Sequence, residues 1–359
     1  MCEQSPDVVR GRLAPSPTGA LHLGNARSFL IAWLSIRSRK GALLLRMEDL
    51  DHPKVKAHAA EQALDDLRWL GLDWDEGPDI GGPCAPYVQS ARTERYAAAL
   101  ARLQAAGRVY PCVCSRKDVE AGQSAPHASE EGLAYDGACR GRFATYAEAA
   151  ATLPAGRLPA WRFAVTPVET AVGRLRGRRK AVSAGAYAGA DRDSSPGSEF
   201  LDGFHGPQRE DVAATVGDFV IARHPLGAGY MLAVVVDDAA MGVTEVLRGD
   251  DLLPATHRQL QLYRALGLKP PHFIHVPLVV ATDGRRLAKR HGDTRIAALR
   301  QAGLRPSQVI GRLAAWCGWA APDEELMPVD LLPRFCLDAI PRAPVVLTEE
   351  IKRAMRVPA

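Results

Sequence analysis

The chain of 359 residues lacks any uninterrupted apolar run of the ~18 residues that a membrane-spanning helix requires. Its first residues, MCEQSPDVVRGRL, have neither the basic start nor the apolar stretch of a secretory signal, so a cytoplasmic location is expected. Cysteine is sparse and unevenly spread. Cys2, Cys84, Cys112, Cys114, Cys139, Cys317 and Cys336 make an odd set, a poor disulfide framework that fits a reducing compartment. No internal repeat of fixed period is present, which excludes a solenoid or propeller. Charge of one sign is also scarce. Lys and Arg total 45 against 41 Asp and Glu, an excess that permits an anionic partner without demanding one. What is present is ordinary for a folded enzyme: 47% hydrophobic and 24% charged residues.

The pattern along the chain is α/β. Residues 8–14 read as a strand, a helix is expected from near Asn25 to Gly41, and ALLLRMED follows as a strand buried on both faces. Strand, helix and strand in this order form a βαβ unit with a parallel crossover. Helices are expected over 57–70, Ser90–Ala106 and Pro254–Gly267. Further strands are expected at Asp218–Ile221, Met231–Val236, Val243–Arg248 and 273–280, and helices over most of the remainder. Residues 110–145 lose periodicity and gain cysteines, as an insertion would. The basic, then Ala/Gly/Ser-rich stretch 174–198 reads as a mobile loop, and its run Arg174–Lys180 as a solvated one ahead of a phosphate contact. Trp316 and Trp319 read as helix core.

Two constellations carry chemistry. The first is PSPTGALHLGN, residues 15–25, between the first strand and the first helix. Nucleotides bind at such a junction, because the helix N-terminus offers free N–H groups and a positive dipole. Gly24 would let an adenine lie against the backbone, and His22 could donate to a phosphate oxygen. The second is Cys112-x-Cys114 with Tyr135-x-x-x-Cys139. Three thiolates supply three ligands to a Zn²⁺ that needs four, and the fourth is Tyr135 or His127.

His22-Leu23-Gly24-Asn25, with Arg12–Gly19 before it, resembles the HIGH signature of class I aminoacyl-tRNA synthetases in their glutamyl and glutaminyl branch. Arg286-Leu287-Ala288-Lys289-Arg290 is similar to the partner KMSKS loop, with Ala288 where the family usually has serine. Arg46-Met47-Glu48-Asp49-Leu50-Asp51 and Leu232–Arg248 also resemble the family's segments. The resemblance implies a Rossmann-like parallel-sheet catalytic core with a zinc-containing insertion and a short helical C-terminal part. It implies ATP contacts from His22, Gly24, Asn25 and Lys289, of which His22, Asn25 and Lys289 would be catalytic, with Mg²⁺ accompanying ATP. Glutamate contacts would come from Arg12, Ala14, Ser16, Glu48, Tyr230 and Arg248. It also places Cys112, Cys114, Tyr135 and Cys139 around one structural Zn²⁺.

Only the 69 residues from 291 to 359 follow the KMSKS-like loop, where a full glutamyl-tRNA synthetase has a long helical anticodon-binding portion. A catalytic core of this extent with a cysteine-containing insertion resembles the glutamyl-queuosine tRNA(Asp) synthetase family. Its partners would be L-glutamate, ATP and queuosine-containing tRNA(Asp), and a monomer is expected. The alternatives are a shortened glutamyl-tRNA synthetase charging the acceptor end and a non-catalytic nucleotide- or RNA-binding paralogue. The expected partition is a first half of the core over 1–109, an insertion over 110–215, a second half over 216–284, and the lysine loop with the helical end over 285–359.

Overall fold

A computed structural model of the chain describes residues 8–17, 19–50, 58–121, 134–165, 198–224, 227–285, 287 and 293–355. Strand β1 (Arg10–Leu13) pairs in parallel with β2 (Ala42–Leu45), and α1 (Leu23–Arg37) makes the crossover between them. This is the expected βαβ unit. Helix α1 starts two residues earlier than Asn25 because His22 serves as its N-cap. It is buried on nearly every side, through Leu30, Ile31, Trp33, Leu34 and Ile36, so it is an interior helix with little amphipathic character. Helix α2 (Ala59–Trp69) follows, then a 3-10 turn over Gln89–Arg92 leading into α3 (Thr93–Ala105).

The next region is built differently. Strand β3 (Val109–Cys112) leads through the short helices α4 (Arg116–Ala121) and α5 (Tyr146–Ala151) to β4 (Ala160–Phe163). A hairpin of β5 (Ser198–Asp202) and β6 (Gly206–Glu210), then α6 (Val212–Thr215), leads to β7 (Phe219–His224) and β8 (Gly227–Ala228). Strands β3, β4, β7 and β8 form one antiparallel sheet in that order.

The strand expected at Met231–Val236 is instead part of helix α7 (Tyr230–Ala240). Its seven successive buried residues, Leu232–Asp238, face protein all round, and a short apolar run of that kind fits a buried strand and a buried helix equally. Beyond it, β9 (Glu245–Gly249), α8 (Leu253–Ala265) and β10 (His272–Val276) form a second parallel unit. The two units join where Thr244 N–H donates to the Arg10 carbonyl at 2.9 Å. The chain then forms β11 (Val279–Val280), α9 (Ile296–Gln301), α10 (Pro306–Ala315), a 3-10 stretch over Pro328–Arg334, β12 (Val345–Val346) and α11 (Glu349–Ala354).

Strand β12 pairs in parallel with β11. Accordingly Ile310, Leu313, Trp319, Leu331 and Leu347 share one core with Leu30, Leu34, Leu45 and Leu67 of the first unit. A second core joins α3, α7 and α8 to the antiparallel sheet. Trp319 is core but lies beyond the end of α10, with its indole N–H donating to Cys336 O at 2.9 Å, and Trp316, the C-cap of α10, is only partly buried against the same core. Among the described residues no helix is long and apolar enough to cross a membrane.

Candidate functional site

The parallel strands end at a cavity of about 550 Å³. Arg46 N–H donates to Leu13 O at 2.8 Å and Glu48 N–H to Pro15 O at 3.0 Å, so the segments leaving β1 and β2 stay side by side. That places Arg12, Ala14, Ser16 and Glu48 on the cavity wall, facing Tyr230 and Arg248. His22, Gly24 and Asn25, at the start of α1, line the same cavity. All sequence-predicted residues for glutamate and nucleotide therefore line one cavity, except Lys289. Lys289 lies outside the described residues, with Asp51, Arg286, Ala288 and Arg290. The described chain on either side comes close: Leu287 lines the cavity, and Leu23 N–H donates to Thr294 O at 3.1 Å.

The helix start is tied by side chains. His22 Nδ1 accepts from Gly24 N–H at 3.1 Å and Asn25 N–H at 3.4 Å, while Asn25 Oδ1 accepts from His22 N–H at 3.3 Å. This reciprocal cap satisfies donors that a helix terminus leaves open. A Cβ on Gly24 would sit 3.1 Å from His22 Cε1, so the absent side chain leaves room for the imidazole itself.

Below the Arg12 and Glu48 end of the cavity runs a buried charge web that the sequence did not announce. Arg46, fully buried, donates to Asp238 at 2.7 Å and Glu48 at 3.0 Å. Asp238 also lies 3.6 Å from Arg12 Nε, and Asp237 takes Arg92, Tyr96 and Gln89 at 2.6, 2.7 and 2.9 Å. Burial pushes the Glu48 carboxyl above its ordinary range, against the pull of Arg46 and Arg12. Helix α7 explains why both neighbouring aspartates can be buried, since each meets a different arginine.

Arg248, on β9, has other company. Its Nε donates to His275 Nε2 at 3.0 Å, its Nη2 to Thr256 Oγ1 and Gln259 Oε1 at 2.8 and 2.7 Å, and its Nη1 to Tyr230 Oη at 3.3 Å. His275 stands directly across the β9–β10 register from it. Behind His275, Asp202 Oδ2 lies 2.6 Å from Nδ1. Burial holds the imidazole down at about 4. Burial pushes Asp202 up, but hydrogen bonds from His275 and the His205 and Phe204 N–H groups outweigh it and leave the carboxyl below its ordinary range. None of these supporting residues has a local sequence signature, because they meet only through the β9–β10 register and the packing of α8 and β5 against it.

The cysteine cluster sits on the antiparallel sheet. The sulfurs of Cys112, Cys114 and Cys139 lie within 4.8 Å of one another, and Tyr135 Oη is 3.5 and 3.6 Å from those of Cys112 and Cys114. A tetrahedral zinc with bonds near 2.3 Å places its ligands about 3.5–3.8 Å apart, so three sulfurs and one phenolic oxygen fit. His127, the other candidate, lies outside the described residues, as does most of 174–198. Arg162 Nε donates to Cys112 Sγ at 3.2 Å and its guanidinium lies 3.7 Å from the Tyr135 ring centroid. Burial raises Cys114 to about 12 and Tyr135 above its ordinary range; hydrogen bonds from Tyr135 and Val113 N–H outweigh burial and lower Cys139. Gly217, at φ +67°, lets the chain pass the Tyr135 backbone where a Cβ would stand 2.1 Å from its carbonyl oxygen. Cys317 and Cys336 are free thiols like the three in the cluster, whereas Cys84 is disulfide-bonded, an exception to the expectation of a wholly reduced set.

The family of tRNA synthetases class I (E and Q), catalytic domain, matches residues 8–155 and 194–330. A glutamyl-Q tRNA(Asp) synthetase of Symbiobacterium thermophilum is 49% identical over 349 residues, covering 97% of this chain and 98% of that protein. Another glutamyl-Q tRNA(Asp) synthetase, from Nitratidesulfovibrio vulgaris, is 44% identical, with 96% and 97% covered. A crystal structure of a glutamate tRNA ligase from Elizabethkingia meningosepticum, in complex with its amino acid, superposes with a TM-score of 0.74 at 23% identity. It is covered over 69% of its length by 97% of this chain.

Proposed function

Because the chain belongs to the class I tRNA synthetases of the E and Q type, and within them to the glutamyl-Q tRNA(Asp) synthetases, we propose that it activates L-glutamate with ATP and transfers the glutamyl group to queuosine in the wobble position of tRNA(Asp). The observation that carries this reading is the single cavity joining the Arg12, Glu48, Tyr230 and Arg248 end to the His22, Gly24 and Asn25 end. An amino acid at the first end and a nucleotide at the second would have their reacting groups adjacent, which is the larger part of catalysis when little covalent work falls to the protein.

In the first step a carboxylate oxygen of glutamate attacks the α-phosphorus of ATP, the bond to the β-phosphate bridge breaks, and pyrophosphate leaves. Arg12 and Arg248 hold the substrate's carboxylates, and Glu48 accepts from its ammonium group. His22, whose Nδ1 is occupied by the helix cap, carries its proton on Nε2 as a donor to phosphate. The N-terminus of α1 and Lys289 add positive potential. Mg²⁺ bound with ATP supplies further charge neutralisation. In the second step a hydroxyl of queuosine attacks the acyl carbon and AMP leaves.

The cysteine cluster is read as a structural zinc site held by Cys112, Cys114, Cys139 and Tyr135. Bound Zn²⁺ would draw the protons from the raised Cys114 and Tyr135. The Arg162 guanidinium beside Cys112 and Tyr135 would offset the negative charge of the ligands. The partition into a core in two halves, an insertion and a lysine-loop end accompanies this reading.

Glutamate-dependent pyrophosphate exchange should proceed without RNA, and labelled glutamate should pass to queuosine-containing tRNA(Asp) but not to queuosine-lacking tRNA(Asp). A label on the terminal adenosine would select an acceptor-end synthetase. Absence of exchange altogether would select a non-catalytic binder.

A further inference from the structure

We propose that Asp202 and His275 are positioning residues which aim Arg248 at the substrate while leaving its charge uncancelled, and that the pair thereby sets the preference for an acidic over an amide substrate. The inference rests on the reading of Arg248 as a glutamate contact.

An arginine side chain offers five N–H donors and no acceptor. The Nε–H of Arg248 meets His275 Nε2 at 3.0 Å, so that nitrogen must present its lone pair. The imidazole proton is then on Nδ1, where Asp202 Oδ2 accepts it at 2.6 Å. Asp202 cannot swing away. Its other oxygen accepts from the N–H groups of Phe204 and His205 at 3.0 and 2.8 Å. With Thr256 and Gln259 taking Nη2, three of the five donors are engaged on the side away from the cavity, and Nη1 is turned toward Tyr230 and the cavity.

The chemistry of these partners separates Arg248 from its neighbours. Arg46 touches two carboxylates directly and Arg12 lies 3.6 Å from one. Among the described residues, every side chain that hydrogen-bonds Arg248 is neutral: an imidazole, two hydroxyls and an amide. A carboxylate in the place of His275 would fix the guanidinium equally well, but would neutralise it. A neutral imidazole held by Asp202 supplies direction and keeps the anion one ring further off. What remains is a buried, oriented cation whose opposite charge must come from the ligand, and an uncharged amide in the same place would leave it unpaired.

The test is glutamate-dependent pyrophosphate exchange on the full chain without RNA. His275→Leu should raise the glutamate KM about 10- to 100-fold, the effect of a lost hydrogen bond to a charged group, and leave the ATP KM within about threefold. His275→Gln, whose amide oxygen can accept from Arg248 Nε, should recover most of the loss. The Arg248→Ala, His275→Leu double variant should be no worse than Arg248→Ala alone. Equal rises in both KM values, no recovery by Gln, or additive losses would overturn the pair's role while leaving the glutamate reading intact. An unchanged glutamate KM in Arg248→Ala would instead sink the reading of Arg248 on which the proposal stands. Should the Leu variant fail to fold, ¹⁵N NMR of the wild-type histidines decides: a His275 proton on Nδ1 supports the proposal, and a proton on Nε2 overturns it.

Discussion

The cavity on the parallel floor and the cysteine cluster on the antiparallel sheet both hold polar side chains still, with different means. Around the cavity, buried arginines and carboxylates are locked by a core that runs through both parallel units, α1 and the C-terminal helices. The cluster has a small apolar group of its own, in which Tyr110, Cys112, Tyr135 and Cys139 are the buried members. Two of those are zinc-type ligands by chemistry and a third is the phenol facing them. A region with so little to bury gains more from a cross-link than from packing, whereas the cavity can be held by volume alone.

Metal removal tests that contrast most sharply. Chelation, or Cys139→Ser, should speed amide exchange across 109–112 and 160–163 by at least about a thousand-fold while exchange in α1 stays slow. Equal loosening of both regions, or of neither, would erase the distinction. Lys289→Ala should lower the rate of glutamyl-adenylate formation by about 100- to 1000-fold and change glutamate binding far less. Comparable losses in both would show that the residue only shapes the cavity.

A smaller effect is expected from Asp66 of α2, fully buried, whose Oδ2 has no hydrogen-bond partner among the described residues. Burial raises this carboxyl to about 6, above the 3.8 of its ordinary state. The folded protein thus favours the protonated form, and stability is lost as pH rises from the ordinary value through the raised one. Asp66→Asn should therefore raise stability above that window by about 1–3 kcal/mol and change nothing below it. A gain that is the same at every pH would point to packing. Smallest of all, Gly24→Ala should raise the ATP KM by a factor of about 3–10 by pressing on His22, with thermal stability little changed; an unaffected KM would place the nucleotide elsewhere.

The legible parts of the molecule were those whose signal is local. The βαβ unit shows in a strand, a Gly-punctuated loop and a helix within forty residues, and the cavity wall in motifs that sit at strand ends. The cysteine cluster shows because its four residues are close in sequence. The strand expected at 231–236 is a helix since burial on all sides removes the period that would tell the two apart. Asp202, Thr256, Gln259 and His275 were illegible for another reason: they converge on Arg248 from three elements, and only the β9–β10 register and the packing of α8 and the β5–β6 hairpin bring them together. Arg162 likewise reaches Cys112 across the β3–β4 pairing.

The shared core of α1 with α10 and β12 has a consequence for how the chain is made. A ribosome delivers the loop before α1 and α1 itself first, yet some of the core partners of α1, from Ile310 to Leu347, come roughly 300 residues later. At about 5–20 residues per second, the part of α1 that the C-terminal elements cover waits on the order of 15–60 s. The antiparallel sheet, finished by residue 228, can assemble in the meantime. Translation thus leaves the core beneath the cavity to close last, and its early helix is the segment a chaperone would have to shelter.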